Sequence, residues 1–313
     1  MIYLYIGNHG YNIHTQDIFE YIQSGLEDVG AKPNYHFNKF TSDGINIVLE
    51  MFDDNLTKSV LAFQESSINS KLFIIVSESL LDGTFNSANN QQKSSDAAAN
   101  HYEDANYWKN RHDNFIRLLP VTSGVITIAE HQHREYLQAD LGVPLFYLPM
   151  VALPSYQPIR HLPFEQKDID IFFSGTITEY RKRILGEFTD PGLHLVTTSP
   201  RNPDYLRRHF LERSKLALGL KLDESTRLLS KARAHYYLTR ECPHLFEAVQ
   251  EPTELDDFLE FSGHPDIVKA TLHRLQQRPQ FNAQSLRDFA AAHPYDAVFS
   301  SLLAFLNDAP ARR

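Results

Sequence analysis

Apolar and polar positions come in alternating blocks along this chain. Residues 1–6 (MIYLYI) form a short apolar run that stops at Gly7-Asn8-His9-Gly10. Residues 15–29 follow, with Ile18, Tyr21, Ile22, Gly25, Leu26 and Val29 at helical spacing, Thr15 and Asp17 as start signals and Gly30 as a stop. The runs 45–49 (INIVL) and 72–77 (LFIIVS) are continuous, apolar and β-branched, as in parallel strands covered on both faces. Residues 55–68 between them read as a helix, and 124–129 and 145–148 continue the alternation. Such β-α repetition predicts a doubly wound α/β sheet.

Two stretches interrupt the pattern. Residues 81–106 are polar, and 86–99 hold almost no large apolar side chain, so this is a functional loop or plain disorder. Prolines at 149, 154, 158 and 163 suit an extended linker. The pattern then restarts: strand 168–174 ending at Gly175, helix 179–188, strand 193–197, helix 202–213, strand 215–220, helix 225–233 and strand 234–239. Four helices follow, at 255–260, 265–276, 284–292 and 297–306. The expected architecture is α/β, two Rossmann-like domains facing each other with C-terminal helices, divided as residues 1–152 and 153–313.

A chain of 313 residues has room for two domains, and 42% hydrophobic with 22% charged residues excludes wholesale disorder. The single cysteine, Cys242, excludes an intramolecular disulfide framework and reads as a small buried residue. No apolar run approaches the ~18 residues of a membrane span, so a cytoplasmic protein without a transmembrane segment is expected. A net charge of −9 argues against general nucleic-acid binding, but it conceals an asymmetry. Residues 1–110 hold 6 Lys, no Arg and 14 acids, whereas 160–240 hold 15 Lys and Arg against 10 acids. The two halves therefore have different electrostatic tasks.

The basic stretch carries the first candidate chemistry. In residues 172–185 (FFSGTITEYRKRIL) a strand runs through Gly175 and Thr176 into a helix start, a natural anion site, with Arg181 and Arg183 in the first turns. Neither GxGxxG nor GxxxxGK[ST] occurs, which weakens dehydrogenase and nucleotidase readings. Ser225 and Thr226 precede an expected helix whose first turn carries Arg227, the wrong sign for a helix N-terminus unless an anion binds there. Glu241, expected at a strand end, stands where open α/β sheets bind ligands.

Together these segments, over residues 168–262, resemble the donor-binding domain of GT-B glycosyltransferases, with the nearest likeness to the single-chain bacterial CgeB-like type. The resemblance implies a donor site of Gly175, Thr176, Arg181, Arg183, Ser225, Thr226, Arg227 and Glu241 for a nucleotide-sugar, with neither metal nor other cofactor. Ala232-Arg233-Ala234-His235 departs from the family, which has a glycine there. It further implies that the acidic half holds a hydroxyl acceptor (saccharide, protein or small molecule) and a base, for which His14, Asp17 and Glu78 are the candidates. His9 and Glu50 offer the same chemistry. Tyr102, Tyr107, Trp108 and Arg111 are an acceptor platform or a cover for the sheet. A non-catalytic nucleotide-sugar-binding protein and a nucleotide-sugar epimerase remain open as alternatives. The tightest histidine cluster, His131-Gln132-His133, is a poor chelate because its rings diverge on strand or helix.

Overall fold

The computed structural model describes residues 1–7, 16–50, 53–67, 69–81, 83–85, 105–199, 202–224, 226–263 and 265–311. The candidates His9, His14, Tyr102 and Ser225, and the polar segment 86–99, lie outside the described residues. The chain divides into two compact units, Met1–Met150 with Tyr295–Arg313, and Val151–Pro294.

The first unit is built on a six-stranded sheet in the order β2-β1-β3-β4-β7-β8, all parallel: β1 (Ile2–Ile6), β2 (Asn34–Phe37), β3 (Ile45–Leu49), β4 (Lys71–Val76), β7 (Gly124–Thr127) and β8 (Leu145–Tyr147). Every residue of β3 is buried, as is Leu72–Val76 of β4, which is why their sequences are continuously apolar. A two-residue antiparallel ribbon, β5 (Leu80–Leu81) with β6 (Thr84–Phe85), follows β4. The edge strand β2, with sequence NYHF, is half-exposed and lacks the apolar signature that marks the central strands.

Helices cover both faces. On one, Leu56 and Val60 of α2 (Asp54–Ser66), Phe115 of α3 (Ala105–Leu118) and Tyr136 of α4 (Glu130–Gln138) pack with Val48, Leu72, Ile74 and Val125. Asp53 caps α2 by accepting from the Asn55 and Leu56 amides. The other face involves α1 (Gln16–Asp28) and, from the far end of the chain, α10 (Tyr295–Asp308). Phe305 of α10 packs on Phe73 and Phe146, and Phe299 lies edge-on to Tyr21 of α1. A Cβ on Gly25 would lie 2.0 Å from the Phe299 ring, so glycine is what lets the two helices approach. The expected second domain of residues 153–313 is corrected accordingly: its last helix belongs to the first unit, because its buried stripe of Phe299, Leu302 and Leu306 is used there.

The second unit has a four-stranded parallel sheet in the order β10-β9-β11-β12, from β9 (Ile169–Ser174), β10 (Leu195–Thr198), β11 (Ser214–Gly219) and β12 (His244–Phe246). One face is covered by α5 (Glu179–Gly186) and α8 (Ile267–Gln276) through Ile184, Leu185, Ile267 and Val268. The other is covered by α6 (Asp204–Glu212), α7 (Lys231–Thr239) and α9 (Ala283–Ala292) through Leu211, Tyr237, Leu238 and Phe289.

Three expectations are corrected here. Residues 234–239 (AHYYLT) are helix, not strand: they form most of α7, whose residues are nearly all buried, so no one-sided period exists to read. Within the expected helix over 225–233, residues 226–230 are irregular backbone and only 231–233 are helical, and 255–260 contains only a 3₁₀ turn, Asp256–Phe258. The proline-rich stretch has no helix or strand from 149 to 163 and contains the unit boundary, while its start is packed: Met150, Val151 and Leu153 are buried, and the Val151 carbonyl meets His235 Nε2 at 2.8 Å. No single helix among the described residues is long and apolar enough to cross a membrane.

Candidate functional site

In open parallel sheets, ligands bind beyond the carboxyl ends of the strands where the strand order reverses. The first sheet reverses between β1 and β3, and the second between β9 and β11.

At the carboxyl edge of the first sheet, β3 runs into Glu50 and β4 into Ser77 and Glu78. Glu50 Oε2 accepts from the Ser77 amide at 2.6 Å and from its hydroxyl. Arg111 of α3, only 5% exposed, donates to Glu78 Oε1 and to the Glu50 carbonyl, both at 2.8 Å, and to Tyr107 Oη at 3.1 Å. Its guanidinium lies 5.2 Å from the Trp108 ring and 3.9 Å from Glu50 Oε1. Burial, and then the Glu78 charge, push the Glu50 carboxyl up to about 7, against the opposing pull of Arg111 and the Ser77 donors. Tyr136 donates from its hydroxyl to the Glu78 carbonyl, and its own acidity is strongly suppressed by burial. Asp17 sits in the first turn of α1, where its charge complements the helix dipole. On α4, His131 turns to Ser79 and His133 to Thr127.

At the carboxyl edge of the second sheet, β9 ends at Gly175. A Cβ there would lie 2.5 Å from Arg233 Nη2, so glycine makes room for this guanidinium. Arg233 and Arg181 both pack on Phe173, with guanidinium carbons 5.3 and 5.4 Å from the ring centre. Arg181 is buried and donates Nε to the Lys221 carbonyl (2.8 Å), Nη1 to Thr176 (2.8 Å) and Nη2 to Leu220 (2.9 Å). Burial, then the neighbouring Arg233 charge, hold its pKa well below the usual arginine value. Thr178 caps α5 and donates to the Leu222 carbonyl, tying the same two loops together. Glu247, just past β12, accepts from the Lys221 amide at 2.9 Å and from the Tyr180 hydroxyl, with Lys221 Nζ at 3.3 Å.

The structure thus gathers Gly175, Thr176 and Arg181 around Arg233. The remaining donor candidates go elsewhere. Arg183 is exposed and pairs with Glu224; Arg227 is exposed, pairs with Glu251 and is not in a helix. Thr226 closes a turn with Asp223, exchanging hydrogen bonds of 3.0 and 3.1 Å. Glu241 follows a helix, with φ of 57°, and precedes β12, which puts it at the amino edge of the sheet, opposite Gly175. The acid that directly follows β12 at the carboxyl edge is Glu247. Sequence reasoning missed Arg233, because α7 read as the end of a helix over 225–233 and a strand over 234–239, and Glu247, because the three-residue β12 is too short to announce itself. Among the described residues no three His, Cys, Asp or Glu side chains cluster to hold a metal.

Two Rossmann-like parallel α/β units in one chain define this fold as the GT-B architecture. Among solved structures, the chain is similar to the crystal structure of TarM, with a TM-score of 0.50 and 12% identity over 86% of this chain and 56% of that one. The chain therefore spans little more than half the length of TarM. It also aligns with the apo form of the lipopolysaccharide outer core galactosyltransferase WaaB, with a TM-score of 0.40 and 12% identity over 97% of this chain and 99% of that one. No protein-family model matches the sequence, and no curated protein matches it.

Proposed function

We propose that this chain is a glycosyltransferase that moves a sugar from a nucleotide-sugar donor to a hydroxyl acceptor. The observation that carries the reading is the Arg233 guanidinium held against Gly175 at the reversal point of the second sheet. A diphosphate there meets a preoriented cation on low-dielectric surroundings, which stabilises negative charge as it develops on the leaving group. Arg181 and Thr178 keep the two loops of this edge in place, and Glu247 holds Lys221 and Tyr180.

In the transfer, the acceptor oxygen bonds to the anomeric carbon while the bond from that carbon to the phosphate oxygen breaks, its electron pair leaving with the nucleoside diphosphate. The hydroxyl proton passes to a base, for which Glu78 is our assignment, with Asp17 and His14 as further candidates. In the proposed reaction Arg233 takes the charge-stabilising part that a metal ion would otherwise have.

Calorimetry with uridine and guanosine diphosphates, together with transfer from radiolabelled nucleotide-sugars, tests the reading. Arg233→Ala is expected to weaken diphosphate binding by ~1–3 kcal/mol, with Arg183→Ala and Arg227→Ala close to wild type. Absence of diphosphate binding by the wild-type protein at millimolar concentration overturns it. Diphosphate binding without any transfer reduces it to a binding protein.

A further inference from the structure

We propose that Glu50 and Glu78 act as one carboxyl pair holding a single proton under the shared guanidinium of Arg111, and that Glu50 is thereby the positioning residue that controls the charge beside Glu78. The proposal rests on the reading of Glu78 as the base, but the pairing itself is testable without turnover.

Among the described residues, the geometry supplies one cation for two acids. Arg111 engages Glu78 directly at 2.8 Å, yet gives Glu50 its hydrogen bond at the backbone carbonyl, leaving the Glu50 carboxylate at 3.9 Å. Glu50 is 8% exposed and Arg111 5%, so water does little to separate the two negative charges. Ionising both acids leaves a net negative charge in a poorly solvated place, which one proton relieves. Glu50 is where that proton goes, being the acid without the direct guanidinium bond, and its raised pKa agrees.

Among the described residues, the other charged or titratable groups packed on this cluster leave that count unchanged. On α3, Tyr107 stays a hydrogen-bond partner of Arg111, and His112 is held towards its neutral form by burial. On α4, Tyr136 is kept neutral by burial, Glu135 accepts from the Leu80 amide, and the His131 ring meets Ser79 at 3.4 Å. On the α2 side, Asp53 caps its helix and Asp54 accepts from Asn114.

Protonated Glu50 leaves Arg111 to Glu78 alone. Ionised Glu50 draws on the same guanidinium and sets a like charge beside the Glu78 carboxylate. The reaction then accelerates as pH rises through neutrality, although Glu50 touches no substrate.

The test is a carbon-13 NMR titration of glutamate-labelled protein from pH 5 to 9 for the wild type, Glu50→Gln and Glu78→Gln, with kcat/KM followed over the same range. One carboxyl signal should titrate near pH 7 in the wild type and vanish in Glu50→Gln. In Glu78→Gln its midpoint should fall by about one unit or more, the like charge being gone. Glu50→Gln should also lose the rise of kcat/KM through neutrality while binding diphosphate as the wild type does. A wild type with no glutamate titrating between about pH 6 and 8 overturns the pairing, and so does an unchanged midpoint in Glu78→Gln. A protein that titrates as described but transfers no sugar keeps the pair and refutes the transferase reading.

Discussion

Replacing Arg181 by methionine separates a loop-holding arginine from a ligand-binding one. Methionine retains the unbranched stem over Phe173 but removes three donors, from Nε, Nη1 and Nη2, that satisfy the carbonyls of Lys221, Thr176 and Leu220. A hydrogen bond from a charged donor is worth ~1.5–3 kcal/mol, so the three together set an upper bound near ~5–9 kcal/mol. Against this stands the desolvation of a guanidinium only 4% exposed, and its repulsion with Arg233, both of which the substitution relieves. The expected balance is a loss of about 2–4 kcal/mol, which at an m-value near ~2 kcal/mol/M lowers the urea midpoint by about 1–2 M. Far-UV circular dichroism during urea unfolding is the assay, with diphosphate calorimetry on the folded protein beside it. If Arg181→Met unfolds at the wild-type midpoint and yet loses diphosphate affinity, Arg181 contacts the ligand and the loop-tie argument is wrong.

Three further outcomes are expected. Gly175→Ala forces the guanidinium of Arg233 aside, so diphosphate affinity should fall about tenfold (~1.4 kcal/mol) in calorimetry; an unchanged affinity would detach Arg233 from the site. Gly25→Ala drives a methyl into Phe299 and should cost ~3 kcal/mol in urea unfolding, largely recovered in Gly25→Ala/Phe299→Leu; additive losses would mean the helices do not meet there. For Glu50, the folded pKa near 7 lies above the ordinary 4.5, so the folded state retains a proton that the unfolded chain has released, and stability falls as pH rises across that window. Glu50→Gln removes this penalty and should gain roughly 3 kcal/mol over wild type at pH 8 but little at pH 4.5, read from urea midpoints at both; an equal gain at both would deny the raised pKa.

What could be read from sequence alone follows from burial. Strands β1, β3, β4, β7, β9 and β11 are covered on both faces, so their apolar runs stand out, and the loop at Gly175 with the helix after it was legible for the same reason. The edge strand β2 and the short β12 carry too little apolar signal. Helix α7 misleads because burial all round erases its period while its tyrosines favour a strand. That one error moved the expected acid to the wrong edge, Glu241 in place of Glu247, and hid Arg233. Glu50 and Glu78 were readable as strand-end acids, but the arginine that joins them is 61 residues from Glu50 along the chain, beyond the reach of any local pattern.

Helix α10 has a practical consequence for dissecting this protein. Because the final segment supplies a layer of the first unit, a gene fragment ending at Met150 encodes that unit stripped of part of its own cover, with Phe73 and Phe146 facing water where Phe305 belongs. The piece that can be excised as one uninterrupted stretch is 151–294. The unit around it is intact only when the two outer segments are co-expressed or rejoined, for instance by a short bridge replacing the inserted one.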